Sequence, residues 1–274
     1  MALLSKQQLD VLAMGREQLN LAQPEQMSRQ LRASSPDWII NCAAWTAVDE
    51  AEREMQQAFA INRDAVRSMT ICADVIGARV LHISTDFVFS GQSQQPYSEL
   101  DAVEPLGVYG CSKHEGELAV LASPGHMVLR TSWLYGTHGN NFVKTMLRLA
   151  RDRDELRVID DQIGSPTWTR DLAQAILVLI QSDVSGLFHF SNSGETSWYG
   201  FACAILEEAR AQGFELRAER VTPIPTADFP TPASRPAYSV LSTEKIQRLL
   251  PMPVQDWRSA LRLMLEELKQ CPDC

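Results

Sequence analysis

The stretch DWIINCAA, residues 37–44, follows Pro36 and has the apolar character of a buried β-strand. The next segment, residues 50–77, is long, charged and periodic, and it predicts one or two helices that end at Gly77. A second apolar run, ARVLHIS at 78–84, predicts another buried strand. Buried strands separated by helical segments are typical of right-handed crossovers between parallel strands. This unit therefore decides the fold class.

The same alternation extends through the first half of the chain, and the second half is more mixed. Further helices are predicted at 112–122, 140–155, 170–182, 197–213 and near the C-terminus, and further strands at 126–133 and 186–192. The last helix has an apolar stripe, which we interpret as core packing: Trp257, Leu261, Leu265 and Leu268. The segment from Thr222 to Ser242 is rich in proline and is predicted to be a loop. The sequence predicts an α/β protein with a Rossmann-like, doubly wound parallel sheet and a smaller mixed α/β region.

Composition limits the kinds of partner that the chain can have. It has 274 residues, a net charge of −9 and no run of Lys or Arg, which argues against binding to nucleic acid or to an anionic membrane. The longest strongly apolar run, AILVLI at 175–180, is too short to span a bilayer, and MALLSKQQLD lacks the apolar core of a signal peptide. We expect no membrane partner.

The six cysteines are scattered and do not resemble a disulfide framework, so a reducing cytoplasm fits best. The terminal CPDC pairs Cys271 with Cys274, and a solvated tail is the default interpretation over a metal or redox site. The five histidines show no metal-ligand spacing, so we expect chemistry without a metal.

Three loops leave the carboxyl ends of predicted strands, the edge where doubly wound sheets bind ligands. NCAAWT at 41–46 has small residues that would admit a flat ligand, although close strand–helix packing explains them equally well. STDFVF at 84–89 clusters polar side chains after an apolar strand, either as a site or as a helix N-cap. RTSWLYG at 130–136 includes Trp133, and a buried Trp is more often simply core.

Tyr109 and Lys113 lie four residues apart in VYGCSKHEGE, residues 108–117. On a helix this spacing places both side chains on one face. A neighbouring ammonium would lower the pKa of the phenol from about 10 and would make it a usable proton donor or acceptor near neutral pH.

Long segments occur in an order that resembles the extended short-chain dehydrogenase/reductase family, from about residue 9 to 268. They are TAVDEAE at 46–52, STDFVFSG at 84–91, VYGCSK at 108–113, RTSWLYG at 130–136, NNFVKTMLRLA at 140–150, DQIGSPT at 161–167 and PTPASRPAYSVLST at 230–243. The family's triad of Ser or Thr, Tyr and Lys corresponds to Thr85, Tyr109 and Lys113 in identity, order and spacing. The resemblance is strongest to members that act on dTDP-linked 4-keto-6-deoxy sugars in cell-surface polysaccharide biosynthesis.

The resemblance implies that NADPH, or NADH, reduces the C4 ketone of the sugar. Tyr109 would donate a proton, Lys113 would lower the pKa of Tyr109 and bond the nicotinamide ribose, and Thr85 would bind the ketone oxygen. The residues implied to line the cofactor site are Ala44, Trp45, Thr46, Tyr109 and Lys113, with Asn62 nearby. The residues implied to face the substrate are Thr85, Asp86, Trp133 and Arg235, the last as a diphosphate ligand or else in a surface salt bridge.

The resemblance also implies a dinucleotide-binding domain at 1–136, completed by about 168–190, and a substrate-binding domain at 137–167 and 191–274. The resemblance implies a dTDP-sugar as the partner, and it is compatible with a homodimer of this chain.

One family feature is missing from the sequence: the first strand with its G-x-x-G-x-x-G turn, which holds the cofactor pyrophosphate. LDVLAM at 9–14 aligns with the family's second strand, and Arg16 after it would contact a 2′-phosphate and favour NADPH. We expect either a reductase whose sequence lacks its start or a non-catalytic binding protein on the same fold. The intact triad favours the reductase. We also expect a gap at the centre of the sheet, or a second strand shifted to fill it.

Overall fold

The structure, a computed structural model, describes residues 9–270. Its helices are α1 (Pro24–Ser34), α2 (Val48–Ala51), α3 (Met55–Phe59), α4 (Ala65–Ile76), α5 (Val108–Leu121), α6 (Phe142–Asp152), α7 (Thr169–Gln181), α8 (Trp198–Ala211), α9 (Glu244–Gln247) and α10 (Trp257–Gln270). Its strands are β1 (Trp38–Asn41), β2 (Arg79–Thr85), β3 (Met127–Thr131), β4 (Leu134–Tyr135), β5 (Glu155–Ile159), β6 (Ile163–Gly164), β7 (Thr167–Trp168), β8 (Gly186–His189), β9 (Thr196–Ser197) and β10 (Arg220–Ile224).

Four parallel strands form the main sheet in the order β1–β2–β3–β8. The register pairs Ile39 with Val80, Leu81 with Met127, and Leu129 with Phe188. Helical segments connect the strands, as parallel pairing requires. The predicted α/β class with a parallel, Rossmann-type sheet is confirmed.

Helices cover both faces of this sheet because neighbouring residues of a strand point to opposite sides. Val80 and Val128 pack with α1 and α4 on one face. Leu81 and Leu129 pack with α7 and α9 on the other. All four side chains are fully buried, which is the pattern expected of a doubly wound sheet.

A separate core lies in the second half of the chain, where α6, α8 and α10 pack together with β5. Leu261 and Leu265 of the predicted stripe are fully buried there, while Trp257 and Leu268 pack at its margin. The prediction that the whole proline-rich segment is a loop was wrong at its start, because β10 pairs in parallel with β5. Pro223 is tolerated because β10 belongs to a two-stranded sheet and is therefore an edge strand.

The long segment predicted as one or two helices is interrupted by a π-helical turn, Ala60–Asp64, between α3 and α4. It ends as predicted at Gly77, whose φ of 74° is in the left-handed region that glycine adopts readily.

The prediction of a strand at 9–14 was wrong, because these residues have no regular secondary structure. Leu12 is 66% exposed there, and within residues 9–270 no strand pairs with the free edge of β1. A strand without a hydrogen-bonded neighbour has little to hold it extended. Neither expected outcome is seen in residues 9–270, because β1, β2, β3 and β8 pair without a gap and residues 9–14 do not join the sheet.

Among the helices of residues 9–270, none combines the length and the hydropathy that crossing a membrane requires. Cys271 and Cys274 lie outside the described residues.

Candidate active site

The carboxyl end of β2 places Thr85 and Asp86 side by side, and both are buried. Thr85 Oγ1 accepts a hydrogen bond from the Phe87 amide at 3.2 Å and donates to Asp86 Oδ1 at 3.1 Å. Thr85 is thus the N-cap of a 3₁₀ turn, Asp86–Val88, which is the capping role that the sequence offered as one of two alternatives. Thr85 also lies close enough to the Tyr109 hydroxyl to affect its pKa, so capping and membership of the site are compatible.

Helix α5 brings Tyr109 to this strand end because glycine allows its backbone to approach closely. A Cβ at Gly110 would lie 2.3 Å from the Phe87 carbonyl oxygen, so only glycine fits that position. The Phe87 and Tyr109 rings then meet edge to face, with centroids 5.6 Å apart. Tyr109 is therefore fixed by packing.

Tyr109 does not have the lowered pKa that the sequence predicted. Burial raises the pKa of Tyr109 to about 12, the charge of Asp86 adds to the rise, and the hydrogen bond with Thr85 opposes it. Lys113 does not lower the pKa of Tyr109, because its ammonium nitrogen is directed elsewhere. Lys113 Nζ donates to the Ile83 carbonyl at 2.6 Å and lies 3.1 Å from His82 Nε2.

Lys113 is 2% exposed, although it carries an ionisable group. Burial lowers the pKa of Lys113 to about 8, against the opposing charges of Glu117 and Cys42. A pKa of about 8 still leaves most of Lys113 protonated at pH 7.

A buried ion pair lies one helical turn beyond Lys113. Arg130 of β3 donates to both carboxylate oxygens of Glu117, at 2.8 and 2.7 Å. Burial alone would raise the pKa of Glu117, but the hydrogen bonds from Arg130 and His114 outweigh it and lower the pKa to about 2. This pair ties α5 to the sheet and fixes the helix that carries Tyr109 and Lys113.

The loop after β1 is held by a single buried asparagine from the π-helical turn. Asn62 Oδ1 accepts from the Trp45 amide at 2.8 Å, and Asn62 Nδ2 donates to the Trp45 carbonyl at 3.1 Å and to Ser112 Oγ at 2.9 Å. Ala44 and Trp45 are partly buried and Thr46 is exposed. Asn62 therefore joins the predicted cofactor loop to the helix of Tyr109.

Asp86 lies in the same buried group as the two hydroxyls. Burial raises the pKa of Asp86 to about 6, against hydrogen bonds from Ser239 and Thr85. A carboxyl group with this pKa changes its charge close to neutral pH.

Trp133 has a left-handed backbone, with φ of 46°, which is strained for a bulky residue. Its ring stacks on Trp198 with centroids 3.5 Å apart and planes 7° apart. A Cβ on Gly164 would lie 2.5 Å from Trp133, so that glycine is what admits the indole. The strained backbone and the close stacking hold the indole in one position.

Arg235 forms the salt bridge that was the alternative to a diphosphate contact. Its Nη2 lies 2.8 Å from Asp49 Oδ2, and its Nη1 lies 3.2 Å from Asp49 Oδ1. Its proline-rich loop packs on Gly91, beyond the 3₁₀ turn that follows β2, where a Cβ would lie 2.6 Å from Pro236. Arg16 lies in an exposed turn. Roles for both arginines stay predictions.

Sequence reasoning missed His82 and Asn41, which line the far side of Lys113. It also missed the pair of Glu117 with Arg130. The usable signals were a histidine inside the apolar run ARVLHIS and an arginine inside HMVLRTSW. A polar group in a buried strand needs a partner, and that requirement points to a network.

In the part of the chain that the structure describes, no group of three or more His, Cys, Asp or Glu side chains is placed to hold a metal ion.

The residues present fit the nicotinamide end of a dinucleotide cofactor. Cys42 and Ala43 are exposed at the carboxyl end of β1, and Trp45 Nε1 is a buried donor without a partner in the described residues. Lys113 and Tyr109 supply the donors that a ribose would need. No G-x-x-G-x-x-G turn occurs in the sequence for the pyrophosphate, so the fit covers one end of the cofactor only.

Comparison with known proteins gives one consistent family. The family model described as RmlD substrate binding domain matches residues 1–270. The dTDP-4-dehydrorhamnose reductase of Escherichia coli K12 is 44% identical over 255 residues, 91% of this chain and 85% of that protein.

Two solved structures have the same fold. A dTDP-4-dehydrorhamnose reductase from Clostridium acetobutylicum has a TM-score of 0.92 at 37% identity, covering 98% of this chain and 94% of its own. The enzyme of the same name from Bacillus anthracis, solved in complex with NADP, has a TM-score of 0.90 at 35% identity, covering 96% and 92%.

Proposed function

Because the chain belongs to the family of dTDP-4-dehydrorhamnose reductases, we propose that it reduces the C4 ketone of dTDP-4-dehydrorhamnose to the alcohol of dTDP-L-rhamnose. The observation that supports this most directly is that Thr85 and Tyr109 lie side by side at the carboxyl end of β2, where Phe87 and Gly110 bring strand end and helix together. This strand end is where a doubly wound sheet receives its ligands.

The cofactor is NADPH, which supplies the hydride to C4 when it is bound, and the related NADP complex supports this assignment. Tyr109 and Lys113 would hold the nicotinamide end, with Ala44, Trp45 and Thr46 beside it. Arg16 would contact the 2′-phosphate.

Tyr109 completes the reduction by donating its hydroxyl proton to the substrate's C4 oxygen. A phenol with a pKa of about 12 is fully protonated at neutral pH, which is the form that a proton donor needs. The proton leaves Tyr109 as the C4 oxygen gains negative charge, so the ketone becomes an alcohol and the phenol becomes a phenolate.

Thr85 orients both partners of this proton transfer. Its hydroxyl hydrogen is donated to Asp86, so it would rotate away from Asp86 to become the second donor to a ketone oxygen bound beside Tyr109. Asp86 and Trp133 would contact the sugar, and Arg235 would exchange Asp49 for the substrate diphosphate. Exchange of one oxyanion for another keeps the guanidinium paired.

A core separate from those on the two faces of the sheet supports a division into two domains, predicted as a dinucleotide-binding domain at 1–136 with about 168–190 and a substrate-binding domain at 137–167 with 191–274. The cores cross these bounds at α9, which packs on the sheet. A cytoplasmic location and a homodimer stay predictions, and light scattering of the purified chain would test the second.

The test is turnover of dTDP-4-dehydrorhamnose by the purified chain with NADPH, followed by the loss of reduced cofactor and by identification of the alcohol product. Formation of dTDP-L-rhamnose is the expected result. A folded chain that binds dTDP but yields no alcohol would favour the alternative, a non-catalytic binding protein on the same fold.

A further inference from the structure

Trp133 has a backbone conformation that its surroundings must impose. Its φ of 46° lies in the left-handed region, which is costly for a bulky residue. The Thr167 amide donates to the Trp133 carbonyl at 3.2 Å, and Ser132 Oγ donates to the Ser165 carbonyl at 2.7 Å. Strained residues of this kind persist only where neighbouring contacts fix them, and they cluster at functional sites. The strain therefore points to a function for the position of this indole.

The pairing of β6 with β9 places two residues against the Trp133 indole. Gly164 of β6 pairs with Thr196 of β9, and Trp198 follows two residues later as the first residue of α8. The Trp198 ring stacks on Trp133 with centroids 3.5 Å apart and planes 7° apart. A Cβ on Gly164 would approach the same indole to 2.5 Å. Trp198 and Gly164 together confine the indole.

Trp198 is fixed in turn by the core of the second half of the chain. Its ring centroid lies 4.6 Å from that of Phe142 and 6.4 Å from that of Phe201, which is fully buried. Ser197 caps α8, because its Oγ accepts from the Gly200 amide at 2.9 Å. Trp198 thus transmits the packing of this core to Trp133. Trp133 itself stays partly exposed, so a ligand can still reach it.

We propose that Trp198 is a positioning residue for sugar recognition. It acts through Trp133, the indole expected to contact the sugar, and it sets the affinity of the site for the sugar part of a dTDP-linked ligand. Neither indole is assigned to the nucleotide, so the affinity for dTDP alone should not depend on Trp198. The role in sugar binding rests on the proposed function, whereas the dependence of Trp133 on Trp198 does not.

A purely structural role for Trp198 would have a different signature. A side chain that only fills the core contributes to the free energy of unfolding, and its truncation would affect every ligand of the site alike. A side chain that positions Trp133 affects only ligands that carry the sugar. The ratio of the affinities for dTDP-L-rhamnose and dTDP therefore separates the two roles.

The test is calorimetric titration of the unaltered chain and of Trp198→Leu with dTDP-L-rhamnose and with dTDP. We expect the dissociation constant of dTDP-L-rhamnose to rise about tenfold, and that of dTDP to stay within about twofold. In steady-state kinetics KM for dTDP-4-dehydrorhamnose should rise by a similar factor with little change in kcat. An unchanged affinity for dTDP-L-rhamnose, or equal losses for both ligands, would overturn the proposal.

A double-mutant cycle shows whether Trp198 acts through Trp133. The variants are Trp133→Ala, Trp198→Leu and the two combined. If Trp198 acts only through Trp133, the double variant should bind dTDP-L-rhamnose no more weakly than Trp133→Ala does. Losses that multiply would contradict the proposal, because the two side chains would then act independently.

The matched control is Trp257→Phe, which alters an indole of the same aromatic cluster. Trp257 packs on Phe201, with centroids 5.7 Å apart, rather than on Trp133. Both affinities should stay unchanged in this variant. A selective loss of dTDP-L-rhamnose binding equal to that in Trp198→Leu would show that any change in this core weakens sugar binding, and it would overturn the proposal.

Nuclear magnetic resonance of the chain labelled with ¹⁵N-tryptophan gives a measurement without ligand. Six tryptophans keep the indole spectrum simple, and Trp133→Phe assigns the signal of Trp133. This signal should shift in Trp198→Leu and stay in place in Trp257→Phe. A Trp133 signal that is unchanged in Trp198→Leu would overturn the proposal. If Trp198→Leu fails to fold, Trp198→Phe, which leaves a smaller ring on Trp133, serves in every comparison.

Binding and turnover distinguish this proposal from the proposed function. A chain that binds dTDP-L-rhamnose but reduces no sugar would contradict the proposed function and leave the role of Trp198 intact, because affinity is measured without chemistry. A chain that reduces the sugar and binds it equally well in Trp198→Leu would have the opposite meaning.

Discussion

Tyr109 is the residue on which the proposed chemistry depends, because it is the proton donor that touches Thr85. Tyr109→Phe removes the proton and keeps the ring that packs on Phe87. Turnover should fall by about 10²–10⁴-fold, the usual effect of a lost general acid, with little change in NADPH affinity. Steady-state kinetics with the dTDP-sugar measure the effect.

The control for this substitution is Tyr135→Phe, which deletes the hydroxyl of a fully buried tyrosine in the second core. Its turnover should stay close to that of the unaltered chain. Near-normal turnover in Tyr109→Phe would remove Tyr109 from the mechanism.

The buried carboxylate of Asp86 is predicted to lower the free energy of unfolding at neutral pH. Its pKa in the folded chain is about 6, above the ordinary 3.8, so the folded state binds the proton more tightly than the unfolded state does. The free energy of unfolding therefore falls as pH rises from about 4 to about 6 and stays lower above that range.

Asp86→Asn removes this pH-dependent loss, so the variant should be more stable by about 1–3 kcal/mol at pH 7.5 and show little difference at pH 4. Urea unfolding at the two pH values gives the comparison. A stability gain that is equal at both values would mean that the charge of Asp86 is not its source. Turnover of the variant should fall, since Asp86 contacts Thr85.

Helix α5 depends on glycine for its approach to the π-helical turn. A Cβ at Gly116 would lie 2.1 Å from the Asn62 carbonyl oxygen, a distance that forces the backbones apart. Overpacking in Gly116→Ala should lower the free energy of unfolding by about 1–3 kcal/mol. The higher helix propensity of alanine offsets up to about 1 kcal/mol of this loss.

Turnover of Gly116→Ala should fall as well, because α5 carries Tyr109 and Lys113. The comparison variant is Gly15→Ala, whose Cβ would meet only a flexible glutamine oxygen at 3.2 Å. Urea unfolding of both variants provides the measurement. Equal stabilities would show that α5 can move without cost.

The elements that sequence predicted well are those with a strong local pattern. The strand at 78–84 and the helix at 170–182 were found within one residue of β2 and α7. The π-helical turn at Ala60–Asp64 was missed because one extra residue in a helical turn leaves hydrophobic periodicity nearly unchanged. The strand predicted at 9–14 failed for a different reason, since a strand depends on a neighbour that its own residues do not encode.

In the site, too, the sequence predicted what local patterns determine and missed what remote residues determine. Thr85, Tyr109 and Asp86 could be placed from the strand end and the helix that follows it. The direction of Lys113 could not, because it is set by His82 and the Ile83 carbonyl, which are remote from Lys113 in sequence. An (i, i+4) spacing gives a shared helix face but not a shared rotamer.

At the scale of the whole molecule, substrate binding should stabilise the chain, since a ligand that binds only the folded state adds to its free energy of unfolding. We expect dTDP to inhibit turnover competitively. At 100 times its dissociation constant it should stabilise the chain by about 2.7 kcal/mol. Thermal melting with dTDP, UDP and GDP at equal concentration tests this. Stronger protection by UDP or GDP would mean that the nucleotide class is wrong.

The stacking of Trp133 on Trp198 has an optical consequence. Two nearly parallel indoles 3.5 Å apart couple their electronic transitions, so this pair should dominate the near-ultraviolet circular dichroism of a protein with six tryptophans. Trp198→Phe should abolish the coupled band, while Trp38→Phe should leave it. Because Trp133 is expected to face the sugar, adding dTDP-L-rhamnose should change the band's intensity. The chain would then report occupancy of its site without an added dye.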